Sequence, residues 1–471
     1  MTTAPVRQHY NVTLGVLALA ALSYALLQTM VAPALPEIQH ELGASPATVT
    51  WVLTVYLLSA SIATPILGRL GDMFGKEHML FAVLLVFALG SLIAALSSSL
   101  GLLVAGRAVQ GAGGAVFPLA FGIIRDEFPR ERVATGIGLI SATFGIGGSA
   151  GLVLSGLIVD QLSYRWIFWF GLVVVGIATV ATHLFVPESP VKSPARIDFA
   201  GAALLSGGLT CMLLAVSEGN RWGWGSGRIL GLFAAAAILL VVWVRYERRA
   251  VEPLVDIDLL RLRGVWTTNL TAFLIGYGMF GSFILIPQFV QTPEAAGYGF
   301  GADVTQAGLF MLPSAAVMLV AGPLAGSLAG RVGSKVPLLI GTAAAGLSFA
   351  VLAVAHDEVW QILGAVFLLG FGIGMSFASM ANLIVEAVPQ HQTGEATGMN
   401  TIMRTVGGAF GAQIAAAIVT EHLEPGTRYA AESGFTAAFV MGTVALLIAV
   451  FAGALIPGRR ARSVAETLSA A

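Results

Sequence analysis

What most constrains this chain is the spacing of its charges: long stretches free of Asp, Glu, Lys, Arg and His follow one another from end to end. They run over 10–36, 42–68, 79–106 and past Arg107 to 124, 133–159, 166–182, 199–217, 229–244, 264–293, 304–330, 336–355, 359–385, 396–420 broken only by Arg404, and 433–458. A bilayer-spanning helix needs about 20 mostly apolar residues, so each stretch predicts a span. The third is long enough for two, divided at Ser97-Ser98-Ser99, which brings the number to fourteen. The shortest is helix 8, with 16 uncharged residues between Arg228 and Arg245, whose side chains can snorkel to the interfaces and complete its length. The first stretch is too long for the apolar region of a secretory signal and has only Arg7 before it, so an uncleaved first helix is expected.

Composition agrees. Only 10% of the 471 residues are charged, against roughly a quarter in a soluble domain. The 57 glycines suit membrane helices, whose backbones approach closely at small residues. A net charge of -1 excludes an overall basic nucleic-acid binder, and a single cysteine, Cys211, excludes an intrachain disulfide or a cysteine-based metal cluster. No phosphate-binding loop, zinc-protease motif or metal-ligand histidine spacing occurs, so neither an enzyme nor a bound cofactor is expected.

Cations in short loops stay on the cytoplasmic side. With the N-terminus and alternate loops placed there, 18 of the 24 Lys and Arg fall inside, and Arg165, Arg221, Arg228 and Arg428 fall outside. Arg107 and Arg404 remain within spans. Both termini are therefore expected in the cytoplasm of a multi-pass cell-membrane protein, with the 245–263 loop inside and the 421–433 loop outside.

A faint duplication runs through the chain, as in transporters built from related halves. Gly68-Arg-Leu70-Gly-Asp72-Met-Phe-Gly75 after helix 2 matches Gly326-Ser-Leu328-Ala-Gly330-Arg-Val-Gly333 after helix 10, an offset of 258. Glu127-Phe-Pro129 followed by Ala134-Thr135-Gly136 matches Glu386-Ala-Val-Pro389 followed by Ala396-Thr397-Gly398, at offsets of 259 to 262. Helices 1 to 6 then correspond to helices 9 to 14. The expected division is a six-helix bundle over 1–190, a two-helix insertion over 191–262 and a second six-helix bundle over 263–471.

With the motif Gly68-Arg-Leu70-Gly-Asp72-Met-Phe-Gly75-Lys76 between helices 2 and 3, the chain resembles the major facilitator superfamily, and within it the fourteen-helix drug:proton antiporter branch. The resemblance covers nearly the whole chain and implies an all-α membrane fold that exports amphipathic drugs, antibiotics or metabolites by alternating access, coupled to protons. Gly68, Leu70, Asp72, Gly75 and Lys76 would form the gating loop, with Asp72 free to cap the following helix and pair with a cation of its own half. The competing reading makes Asp72 a solvated loop charge. Arg107-Ala-Val-Gln110-Gly111 in helix 4 is similar to the superfamily's Arg-x-x-Gln-Gly pattern, and Gln110 would share its polar face. Against a functional Arg107 stands a side chain snorkelling from the outer end of the span.

Helix 5 carries Gly147, Gly151 and Gly156, a small-residue face for helix packing, with Leu152 where the antiporter pattern has proline. In helix 1, Leu27 occupies the place of the branch's acid and Ala32 that of its asparagine. No acidic residue lies at the middle of a span, so proton coupling is an implication of the resemblance alone. Asn400 and Arg404, four apart on helix 13, share one face, and either line a central cavity or bond a neighbouring helix. Further expected lining residues are Tyr24, Gln28 and Thr29 on helix 1, Asn269 and Tyr277 on helix 9, and Ser379 and Asn382 on helix 12. The expected partners are a small-molecule substrate, protons and membrane lipids, with no nucleic acid. An uncoupled facilitator or importer, or a lipid-moving protein, are the alternatives.

Overall fold

The computed structural model describes residues 9–189, 191–193, 196–422 and 430–457, and among them fourteen helices are long and apolar enough to cross a membrane. Helices 1 to 6 are Tyr10–Met30, Trp51–Phe74, Lys76–Ala95, Leu100–Glu127, Arg130–Gln161 and Arg165–Phe185. Helices 7 and 8 are Phe199–Trp222 and Gly227–Glu247. Helices 9 to 14 are Arg263–Gln291, Val304–Val332, Lys335–Val354, Val359–Ala387, Thr393–Glu421 and Glu432–Ala454. Helix 8, the shortest uncharged stretch, reaches full length by drawing in Arg245 and Glu247 at one end. Ser97-Ser98-Ser99 does separate helices 3 and 4, and the Ser99 side chain accepts a hydrogen bond from the N–H of Leu102 to cap helix 4.

The duplication has a packing counterpart. Helix 1 packs on helices 5 and 6, helix 4 on helices 2 and 3, and helix 3 on helix 6. Eight helices later the same pairs recur: 9 with 13 and 14, 12 with 10 and 11, and 11 with 14. The protein is therefore two six-helix bundles of like architecture plus two inserted helices. Helix 8 packs chiefly on helix 7, and helix 7 reaches helix 2 of the first bundle and helix 13 of the second.

Small residues set the closest approaches. Helix 4 is interrupted by a 3-10 turn, Gly111–Ala115, where the helix lies flat on helix 2. A Cβ on Gly111 would fall 2.7 Å from the backbone nitrogen of Ala60. Gly147 and Gly151 of helix 5 lie against Ala25, Leu26 and Thr29 of helix 1, and the Thr29 hydroxyl donates to the Gly147 carbonyl at 3.1 Å. Gly156 faces Thr305 of helix 10 in the other bundle.

Candidate functional site

At the face whose loops carry most of the cations, polar groups tie the two bundles together. Asp72, in the last turn of helix 2 there, is fully buried. It does not cap the following helix: the N-cap of helix 3 is Gly75, at φ 117°. Its carboxylate instead reaches the other bundle, accepting hydrogen bonds from the N–H groups of Gly394 at 3.2 Å and Glu395 at 3.1 Å in the first turn of helix 13. An anion at a helix N-terminus meets both unpaired N–H donors and the positive end of the dipole, which explains why the acid crosses between halves. Gly68 permits the approach, since a Cβ there would lie 2.7 Å from the carbonyl oxygen of Gly394. Lys76 is also fully buried, 3.4 Å from Asp72 and 2.7 Å from Asp126 of helix 4, so the pairing within the half is present.

Further bonds reinforce this closure. Arg125 at the end of helix 4 donates to the carbonyls of Val388 at 2.7 Å and Pro389 at 3.1 Å and to the hydroxyl of Thr393 at 2.6 Å. Arg69 pairs with Glu395 at 3.4 Å. Glu395 also accepts the N–H of Asp256 at 2.6 Å, which ties in the segment between helices 8 and 9. On charge alone the twelfth uncharged stretch starts at Ala396; the helix begins at Thr393 because an acid is favourable in a first turn. Asn382 joins the same face, its amide donating to Ala134 of helix 5 at 3.4 Å. Ser379 bonds within its own helix, to Met375. Neither of these two lies among the lining of the central cavity described below.

Above this closure, aromatic rings of both bundles meet near mid-span. Phe144 of helix 5 stacks on Phe377 of helix 12 at 5.3 Å, and Phe117 of helix 4 packs edge-on against both. Tyr24 lies against Phe117 and Tyr56. Arg404 is inserted here, its guanidinium 4.0 Å from the Phe377 ring centre and 5.7 Å from that of Phe144. Among the described residues it makes neither a hydrogen bond nor an ion pair, and it is 6% exposed. Asn400, one turn earlier, is held by Asn269 of helix 9 at 2.9 Å, so these two predicted residues are brought together. Tyr277 stands higher on helix 9, where its carbonyl packs on Gly411.

Arg107 has a different setting. Fully buried, it donates to the carbonyls of Val52 at 3.1 Å and Leu27 at 3.5 Å and to Gln110 Oε1 at 2.8 Å, and it lies 3.8 Å from the Tyr56 ring centre. Gln110 passes the chain on to Ser91 at 2.8 Å. Arg107 thus binds helices 1, 2 and 4 together inside one bundle and does not snorkel.

On the other side of the aromatic floor a cavity of about 320 Å³ lies between the bundles. Gln28, Thr29, Leu53, Tyr56, Leu57 and Leu152 line it from the first bundle, and Phe280, Phe283, Thr405, Gly408 and Gln413 from the second. Its wall is mostly apolar with a few polar groups, the composition of small-molecule sites. The Oε1 atom of Gln28 is buried there without a hydrogen-bond partner. A second crevice, of about 380 Å³, opens at the helix ends of the cation-rich face around Arg130, Lys335 and Glu386 and does not reach the aromatic floor. The central cavity is the better candidate because it lies within the spans, between helices 1, 2 and 5 of one bundle and helices 9 and 13 of the other, whereas the crevice opens at the helix ends.

Sequence reasoning missed Tyr56, Phe280, Phe283 and Gln413, since aromatic and amide residues on membrane helices have no spacing that distinguishes lining from packing. Glu395 could have been found as the acid immediately before a predicted span.

Residues 17–412 match the family model described as Major Facilitator Superfamily. The chain is 31% identical over 431 residues to an uncharacterised MFS-type transporter of Mycobacterium tuberculosis, a match that covers 89% of this chain and 61% of that protein. It is 28% identical to the multidrug transporter protein MdtP of Bacillus subtilis, covering 84% of this chain and 72% of that one. It is 29% identical to the tetracenomycin C resistance and export protein of Streptomyces glaucescens, covering 85% and 74%. Among solved structures, the human organic anion transporter MFSD10 (TETRAN) superposes with a TM-score of 0.68 at 16% identity, covering 95% of this chain and all of that one, a likeness of fold. The fold and these relatives are those of transporters, and this chain belongs to the major facilitator superfamily.

Proposed function

We propose that this protein is a secondary transporter that exports amphipathic organic molecules, of the drug, antibiotic or metabolite class, from the cytoplasm by rocking its two bundles about the central cavity. The observation that carries this reading is the cavity itself, bounded by both bundles and closed at one end only by contacts that a rocking motion can break and remake. The Bacillus and Streptomyces relatives, a multidrug transporter and a tetracenomycin C resistance and export protein, support the substrate class. With both termini in the cytoplasm, the cation-rich closure is the inner gate and the cavity faces outward. The division at 1–190, 191–262 and 263–471 belongs to the same reading, with helices 7 and 8 as the insertion.

Arg404 gives the site a sign. A guanidinium within a span costs at least about 2.5 to 3.5 kcal/mol unless something compensates it, and rings compensate only in part. Arg404 stands in the aromatic floor beneath the cavity and not among its lining residues, so its charge acts on a substrate through space, and neutral and acidic compounds are favoured over permanent cations. Proton coupling uses carboxylates at the inner gate, Asp72 and Glu395, because Leu27 replaces a helix 1 acid. A second reading, an uncoupled facilitator, rests on that same Leu27 and on Leu152 in the cavity wall. Dye uptake into inside-out vesicles, with and without a pH gradient, separates them. Uptake of anilinonaphthalene sulfonate that collapses with the gradient supports coupled export, gradient-independent equilibration supports the facilitator, and no flux in either condition overturns both.

A further inference from the structure

The two seams between the bundles differ. Helices 5 and 10 approach closely along most of their length: a Cβ on Gly326 would lie 2.5 Å from the Ala134 carbonyl, one on Gly138 2.4 Å from that of Gly322, and Gly156 meets Thr305 near the far end. Helices 2 and 13 approach near the cation-rich face, where a Cβ on Gly68 would lie 2.7 Å from the Gly394 carbonyl oxygen and one on Gly398 3.3 Å from the Cα of Pro65. Beyond that, residues 50–58 of helix 2 and 405–413 of helix 13 turn to the cavity. A third element stands in this seam.

That element is helix 7. Leu205, Leu209 and Leu213 repeat every four residues, which places them on one helical face. They pack with Met399, Ile402 and Val406 of helix 13 and with Leu58 and Ile66 of helix 2. One turn on, the face becomes polar: the hydroxyls of Ser217 and Thr54 of helix 2 are 3.4 Å apart, and the Asn220 amide donates to both the carbonyl and the side-chain oxygen of Gln413 at 3.0 Å. Leu213 and Ser217 line the cavity itself.

We infer that helix 7 is the side wall of the substrate site and that Leu213 and Ser217 are specificity-determining residues. Leu213 sets the width available to the apolar body of a substrate, and Ser217 offers a hydroxyl to its polar group. The inserted pair of helices is on this account a working part of the cavity, with helix 8 as its outer support. The inference rests on the reading of the central cavity as the substrate site.

The test uses the full chain with Cys211→Ser, which removes the only thiol, itself on helix 7. Cysteines are placed singly at Leu213, Ser217, Thr29 and Gly225, the last an exposed position in the loop between helices 7 and 8 on the cation-poor face. A hydrophilic maleimide is added at that face with and without anilinonaphthalene sulfonate. Labelling at all four, with protection at Thr29, Leu213 and Ser217 but not at Gly225, is expected. Protection at Thr29 without protection at Leu213 and Ser217 overturns the inference alone, and absence of protection at all three overturns the cavity reading beneath it. In parallel, Leu213→Trp should lower transport of anilinonaphthalene sulfonate relative to the narrower naphthalene sulfonate by about tenfold, and Leu213→Ala should move the ratio the other way. A purely structural helix 7 would lower both fluxes together and leave the ratio unchanged, which also overturns the assignment.

Discussion

The carboxylate of Asp72 and the backbone of Glu395 meet across the two halves of the molecule at 3.1 Å, so that an acid closing helix 2 supplies the cap of helix 13. The charge is worth most in the one conformation that brings those helix ends together. A group with such a difference between states biases the equilibrium between them, which is what a gate requires.

Asp72→Asn should therefore impair transport with little effect on folding. The amide keeps one acceptor oxygen, loses the other and leaves Lys76 with Asp126 as its remaining partner. Bonds to a charged group contribute about 1.5 to 3 kcal/mol, so closure should weaken roughly 10- to 100-fold. Initial rates in vesicles, beside the melting temperature of the purified variant, check this. A degraded variant would mark a structural charge, and undiminished transport would leave the gate without its key.

Glu395→Gln tests the proton path. The substituted amide retains an acceptor for the Asp256 N–H but cannot form the ion pair with Arg69. Substrate exchange at equal pH on both sides should persist within about twofold, while stimulation by a pH gradient should disappear. Gradient-driven accumulation equal to that of the natural protein would place proton exchange elsewhere.

Arg404→Ala should relax the preference for charge sign. With the guanidinium removed, inhibition by tetraphenylphosphonium should strengthen relative to anilinonaphthalene sulfonate by about tenfold, the effect of losing an interaction worth roughly 1.4 kcal/mol. Strong preference for permanent cations in the natural protein, unchanged in the variant, would contradict the assigned role.

Topology is checked by labelling cysteines placed at Ser463 and Gly426, both outside the described residues, in the Cys211→Ser background. An impermeant reagent applied to intact cells should reach the second and not the first. The reverse pattern would invert the protein and with it the direction of export.

The fourteen spans were legible because charge is excluded from the hydrocarbon core, which leaves its mark on every span independently. The halves were legible for a related reason: a leucine and glycines at the helix 2 and helix 10 ends repeat because the chain turns in the same way there, on Gly75 and Gly333, both at positive φ. Partners of buried polar groups were not. Nothing near Asp72 in sequence indicates that its donors lie 322 and 323 residues away. Arg107 and Arg404 look alike as isolated cations in spans, yet one is bonded to two carbonyls and to Gln110 and the other meets only rings, a difference set by which helix faces them.

The contact of Gly138 with Gly322 has a consequence for how evolution can alter speed without altering taste. Two bare backbones make a joint with nothing to interlock, and any side chain there would act as a shim that tips one bundle against the other. An alanine at either position would change how readily the molecule swings while leaving the lining of its central chamber untouched.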